Sequence, residues 1–189
     1  MSGGMRPAVV ERLGERIRSA RQELDLSVGA LAEASEVSRR MLTQIELGQA
    51  NPSVAILDRI AAGLGTTFAA LMGVGADDAP DGVEIWSTDS GSWAVLLGAV
   101  DTDALSVETW KWKLVGEDCY EGGSGIALPG IMHHVIEGAL EIDDADGLQV
   151  IEAGGSARIA SPGPYRYRAR DAQAAVFFSV ALLPRPGRG

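Results

Sequence analysis

Ser38-Arg39-Arg40, followed by Thr43 and Gln44, is the segment of this chain whose residue types and spacing carry the most chemistry. Ser38 is a helix-capping residue type. On a helix that starts after it, positions 39, 40, 43 and 44 share one face. A guanidinium matches the O6/N7 edge of guanine and a carboxamide matches the N6/N7 edge of adenine. A threonine offers a methyl to thymine or a hydroxyl to phosphate. A helix presenting these groups and braced from behind is what a chain needs to enter a DNA major groove.

The flanking sequence supplies the brace. Leu13, Ile17, Ala20 and Leu24 recur at helical spacing, with Arg12, Glu15, Arg16, Arg18 and Arg21 on the other faces. Asp25 or Ser27 caps a second helix whose Leu31 and Ala32 point inward. Ala34 and Ser35 are small enough to let two helices meet steeply, and Val37 fills the turn. The helix after Ser38 is expected over Arg39–Leu47, with Gly48 just past its end. Asn51-Pro52-Ser53 restarts the chain as a helix with Ile56, Leu57, Ile60, Ala61 and Leu64 buried, and Gly65 stops it. Phe68, Leu71 and Met72 form a short fifth helix. Glu46 reads as a local brace, through a hydrogen bond or an ion pair, rather than as a base contact. The helical domain spans residues 8–73.

The net charge of −10 opposes binding to a polyanion only until it is divided. Residues 1–75 hold eight arginines and eight carboxylates, whereas residues 76–189 hold eight Lys+Arg and eighteen carboxylates. The excess negative charge thus lies entirely in the second half, and a neutral first half with grouped arginines can still bind phosphate. No apolar run is long enough for a bilayer, the N-terminus has no signal-peptide core, and Cys119, the single cysteine, allows no internal disulfide. These features point to a cytoplasmic protein with no membrane partner.

Residues 74–82 are rich in Gly, Asp and Pro and read as a linker. From Val83 the pattern changes to strands. In Val107–Leu114 the alternation puts Trp110, Trp112 and Leu114 on one face and Lys111 and Lys113 on the other. Further strands are expected at 133–142 (broken by Gly138), 148–152, 156–160, 165–169 and 174–183, separated by turn-forming residues. Short strands at this spacing imply a barrel or sandwich over residues 83–184. Residues 185–189 read as a disordered tail.

The Leu31-Ala32 pair, Val37-Ser38, Ile45-Glu46-x-Gly48 and Asn51-Pro52-Ser53 together resemble the Xre-type, lambda-repressor-like helix-turn-helix family over about residues 10–73. The resemblance implies a transcription regulator in which Arg39, Arg40 and Gln44 reach base edges. Ser38 then caps the recognition helix, and Asn51 and Ser53 clamp backbone phosphate. It also implies a double-stranded, two-fold symmetric operator with half-sites about 34 Å apart, and hence a homodimer. The family often has Gln early in its second helix to hold phosphate. This chain has Val28 there.

Val135–Ile142 and Ala160–Tyr165 resemble the two motifs of the cupin family, a small β-barrel (jelly roll) known to occur fused to Xre-type readers. The expected fold is therefore two-domain: an all-α five-helix bundle followed by an all-β cupin-like barrel. The cupin resemblance implies a metal held by three His and one Glu. This chain has two histidines, His133 and His134, which are adjacent and so point to opposite faces of a strand. The matching ligand positions fall near Ser124, Ile126, Ile131 and Tyr165, which do not form a transition-metal set. No metal, cofactor or catalytic residue is expected, and dioxygenase and most isomerase activities are set aside. An inward set of Trp110, Trp112, Ile126, Ile131, His133, Tyr165, Tyr167 and Phe177 either fills the barrel or lines a pocket for a small organic effector. In the second case Trp110, Trp112, Ile131, His133 and Tyr165 are the contact residues. Arg166, Arg168 and Arg170 form a solvated face, pair with carboxylates or bind an anion. Three functions follow: a ligand-responsive regulator; a constitutive dimeric repressor whose barrel only oligomerises; or a metal-independent enzyme using His133 and Tyr165 as acid and base.

Overall fold

A computed structural model describes residues 5–74, 81–102, 104–123, 130–159 and 163–184. Most of the expected linker, the tail at 185–189, and Ser124 and Ile126 lie outside the described residues. No helix among the described residues is long and apolar enough to cross a membrane.

Among the described residues the first half has five helices: α1 (Pro7–Glu23), α2 (Val28–Ala34), α3 (Arg39–Glu46), α4 (Val54–Gly63) and α5 (Phe68–Met72). Each of α2 to α5 starts on a hydroxyl that accepts a backbone N–H: Ser27, Ser38, Ser53 and Thr67. The cap of α2 is therefore Ser27. Asp25 instead makes the preceding turn at φ 53°. That turn also corrects the α1 stripe. Leu24, expected inside, follows the end of α1 and is 51% exposed, while the buried stripe extends at the other end through Val9 and Val10. Leu13, Ile17, Leu31, Leu42, Ile45, Leu57 and Ile60 form the helical core. Where α1 crosses α3, a Cβ on Gly14 would stand 2.4 Å from the Ile45 carbonyl oxygen. Only glycine lets the two backbones approach this closely.

Among the described residues the second half has ten strands: β1 (Val83–Ser87), β2 (Trp93–Asp101), β3 (Leu105–Val115), β4 (Cys119–Gly122), β5 (Gly130–Glu137), β6 (Ala139–Asp144), β7 (Gly147–Glu152), β8 (Ser156–Ile159), β9 (Tyr165–Ala169) and β10 (Ala174–Pro184). They form a six-stranded antiparallel sheet, β1-β2-β3-β10-β5-β8, and a four-stranded one, β4-β9-β6-β7. This is the two-sheet arrangement of a cupin-like jelly roll. Gly138, at φ 71°, makes the one-residue junction between β5 and β6, and a Cβ there would sit 2.0 Å from the Ala174 carbonyl oxygen. The strict alternation of β3 buries Ser106, Glu108, Trp110, Trp112 and Leu114.

The halves touch. Phe68 at the start of α5 stacks on Trp110, with ring centroids 6.1 Å apart and planes 9° from parallel. The Thr67 hydroxyl donates to Asp101 at 3.4 Å, and Arg6 pairs with Glu84 at 2.6 Å. The barrel thus sits against the face of the helical domain formed by the N-terminal ends of α1, α4 and α5.

Candidate DNA-reading face and effector cavity

The Ser38 hydroxyl accepts the Met41 N–H at 3.1 Å, so the first turn of α3 is fixed by its own cap. Ser38→Ala should cost about 1 kcal/mol, measured as a loss in urea-unfolding free energy. Arg39, Arg40 and Thr43 are exposed and Gln44 is half-buried on the same face. The Thr43 hydroxyl donates to the Arg39 carbonyl at 2.8 Å, which fixes its rotamer. The Arg39 guanidinium lies over Gly29, its atoms 3.1 Å from where a Cβ would be. The Arg39 side chain thus lies across the first turn of α2 while remaining exposed. Val28 opens α2 and brings no polar group there.

Glu46 does brace the domain. Both carboxylate oxygens accept from Arg21, at 2.6 and 2.9 Å, and Arg21 also donates to the Leu26 carbonyl at 2.9 Å. Arg21, read in the sequence as one of the outer charges of α1, is only 9% exposed. The Glu46 bond holds its guanidinium more firmly protonated than usual, against the opposing effect of burial.

Asn51 and Ser53, expected on phosphate, are exposed and have local partners. The Asn51 amide makes two 3.4 Å hydrogen bonds with the Met5 backbone, and Ser53 caps α4. Both line a cleft that faces the barrel, beside Trp86, Trp112 and Tyr120.

A cavity of about 120 Å³ lies between the two halves. Ser53, Val54, Ala55 and Asp58 of α4 and its cap, with Phe68, form the helical wall. Glu108, Trp110, Trp112, Tyr120, Ile131, Tyr165 and Tyr167 form most of the barrel wall. Four of the five expected pocket residues, Trp110, Trp112, Ile131 and Tyr165, are thus brought together. His133 is not among the lining residues. It is 2% exposed and lies behind the wall, its Nε2 3.1 Å from the Tyr167 hydroxyl and its ring against Phe177. Burial lowers its pKa to about 4, so it is neutral at neutral pH. Phe177 is also behind the wall, stacked on Trp112.

Sequence reading missed Glu108, Tyr120 and the helical wall. Glu108 was within reach of it, because it shares the parity of Trp110 and Trp112 on β3. It is 2% exposed. Its Oε2 accepts the Trp110 indole N–H at 3.1 Å, and its Oε1 has no partner among the described residues. Desolvation raises its pKa to about 7, with Asp58 and Asp101 adding to the shift and the Trp110 bond opposing it.

The donor set for the metal that the cupin resemblance implies does not fit. Ile131 and Tyr165, near which the resemblance places two of the ligands, are poor transition-metal ligands, His133 is engaged with Tyr167, and exposed His134 bonds Ser156 at 3.0 Å on the outer face. Among the described residues no three His, Cys, Asp or Glu side chains converge on one point. The β9 arginines pair with carboxylates: Arg166 with Glu121 at 2.8 Å, Arg168 with Glu141, and Arg170 with Glu152 at 3.2 Å.

A family model for a helix-turn-helix, HTH_3, matches residues 17–71. The chain is 26% identical over 178 residues to the HTH-type transcriptional regulator SutR of Escherichia coli (strain K12), covering 92% of this chain and 96% of that protein. It is 38% identical over 61 residues to the Immunity repressor protein of Bacillus phage phi105, covering 32% of this chain and 42% of that one. The crystal structure of an HTH_3 family transcriptional regulator from Vibrio cholerae shares the fold, with a TM-score of 0.66 at 22% identity over 95% of this chain and 99% of that one. Residues 17–71 match the HTH_3 helix-turn-helix family, and the chain as a whole has the two-part build of a helix-turn-helix transcriptional regulator, five helices followed by a cupin-like barrel.

Proposed function

We propose that this protein is a homodimeric, sequence-specific operator-binding regulator whose cavity takes a small organic effector without a metal. The observation that carries the sensing part is the composition of the cavity wall. Ser53, Val54, Ala55 and Asp58 begin the helix that directly follows the recognition helix, so an effector in the barrel touches the DNA-reading half itself. A ligand that fits one arrangement of the two halves better than another shifts their equilibrium by that difference in affinity, and DNA binding responds reciprocally. An open cavity at this place favours this reading over a barrel that only oligomerises. Met132 and Ile136 on β5, and Leu148 and Val150 on β7, are large apolar side chains left exposed on the barrel. They support placing the dimer contact there, away from α3. Arg39, Arg40, Thr43 and Gln44 read bases, with Ser38 setting the helix. Asn51 and Ser53 link the reading face to the barrel.

The test is operator selection from random duplex DNA, followed by footprinting and sedimentation. The expected result is a dimer that protects a two-fold symmetric site. Arg39→Ala with Arg40→Ala should weaken that site at least about 100-fold, since each base contact contributes about 1–3 kcal/mol, while the melting curve is unchanged. Specific protection that survives the double substitution overturns the assignment of α3 as the reader.

A further inference from the structure

The cavity has a definite electrostatic character. Six aromatic rings border it: Phe68, Trp110, Trp112, Tyr120, Tyr165 and Tyr167. They form one continuous set, with Trp110 and Trp112 stacked at 5.7 Å, Trp112 and Tyr120 at 4.7 Å, and Tyr165 and Tyr167 at 4.9 Å. Three carboxylates, Asp58, Glu108 and Glu121, share the wall, and among the described residues no Lys, Arg or His lines it. Both indole N–H groups on the wall are already donated, Trp110 to Glu108 and Trp112 to Ser179 at 2.9 Å. What is left over is an acceptor: Glu108 Oε1, buried and without a partner among the described residues. A buried oxygen in this state disfavours the folded chain until something donates to it.

We propose that the cavity binds an organic ammonium ion, a primary amine or methylated ammonium with a small apolar body. The proposal rests on the reading of the cavity as an effector site and specifies the chemistry of that effector. Ring faces attract a cation through their quadrupole, and Glu108 and Asp58 supply the opposite charge. An anion would meet Glu108 and Asp58, while Glu121 is tied to Arg166 at the exposed rim. A neutral apolar guest would leave Oε1 unpaired. The raised pKa of Glu108 reflects the same field, since burial and the neighbouring carboxylates Asp58 and Asp101 all resist its ionisation. A bound cation relieves that resistance. The 120 Å³ of space is comparable with a cavity of about 150 Å³ that accepts benzene, so it suits a head group with a few carbons. The adjoining cleft of about 650 Å³ shares Trp110, Trp112, Tyr120 and Glu121 with it and gives a longer tail an exit past Asn51.

The experiment uses the full chain without DNA and titrates choline against its uncharged carbon isostere, 3,3-dimethyl-1-butanol, and n-butylamine against n-butanol. Indole fluorescence and calorimetry report binding. The expected result is saturable binding of at least one of the two cations, at least about tenfold tighter than its neutral partner. Glu108→Gln should lose about tenfold of that affinity, and Asp58→Asn, on the opposite wall, should lose part of it. Equal affinity for the charged and neutral partners, no saturable binding of either cation, or unchanged affinity in both variants overturns the ammonium assignment. None of these outcomes touches operator binding, which fails or succeeds separately in the footprinting test.

Discussion

Glu46→Ala is expected to remove about 3–5 kcal/mol from the helical domain, a large share of the total stability of a domain of this kind. The carboxylate is the main partner of Arg21, whose side chain is buried between α1 and the turn at Leu26. Deleting it leaves a guanidinium with one carbonyl acceptor and no counter-charge. Deleting Arg21 strands the carboxylate in the same way. Removing both is different, because a buried ion pair replaced by apolar groups of similar volume is often neutral in stability. Arg21→Met with Glu46→Leu should therefore recover most of what either single substitution loses. Urea unfolding of the two single variants and the double variant, read as a coupling energy, checks this. Losses below about 1 kcal/mol in both singles would mean the pair is solvated. The functional consequence follows from position. Glu46 is the last residue of α3, so the pair anchors the C-terminal end of the proposed recognition helix to α1, while Gly14 lets the two backbones meet.

The local elements were legible because their signals are local. Ser38 and Gly48 bracket α3 by capping chemistry, and Phe68, Leu71 and Met72 fall on a helix that ends at Met72. On β3 the period of two put Trp110 and Trp112 inside. What was missed depends on contacts between segments distant in sequence. Arg21 reads as a surface charge until Glu46 is folded against it from 25 residues away. Leu24 reads as core until a left-handed Asp25 ends its helix. His133 has the right parity to face inward, but parity does not say that Tyr167 stands between it and the cavity. The helical wall was out of reach of pattern reading altogether. Docking of the barrel on α4 and α5 leaves no period or motif in Ser53, Val54 or Asp58. Asn51 likewise bonds the Met5 backbone of its own half and lines the cleft, contacts that the motif resemblance does not encode.

Two buried groups make opposite demands on pH, and Glu108→Gln should separate them. The folded state raises the pKa of Glu108 from 4.5 to about 7. Between those values the folded chain keeps a proton that the unfolded chain has released, so stability falls as pH rises. Above about pH 7 the full penalty, about 3 kcal/mol, remains. The folded state lowers the pKa of His133 from 6.5 to about 4. Between those values the unfolded chain takes up a proton that the folded chain refuses, so stability falls as pH falls, by a similar amount. The two windows overlap from about pH 4.5 to 6.5, where the slopes oppose each other and the contribution of this pair to the wild-type profile is nearly flat. Glu108→Gln keeps an acceptor for the Trp110 indole and cannot ionise. It should be more stable than wild type at pH 8, by up to about 3 kcal/mol, and should show the acid-side decline due to His133 without opposition. His133→Gln, which keeps a partner for the Tyr167 hydroxyl, should show the converse, a steady loss from pH 4.5 to 7. Unfolding free energies measured at half-unit steps from pH 4 to 8 decide the matter. A Glu108→Gln protein that is less stable than wild type at pH 8, with an unchanged slope below it, would mean that the Glu108 carboxyl is solvated in the folded chain and carries no penalty for ionising.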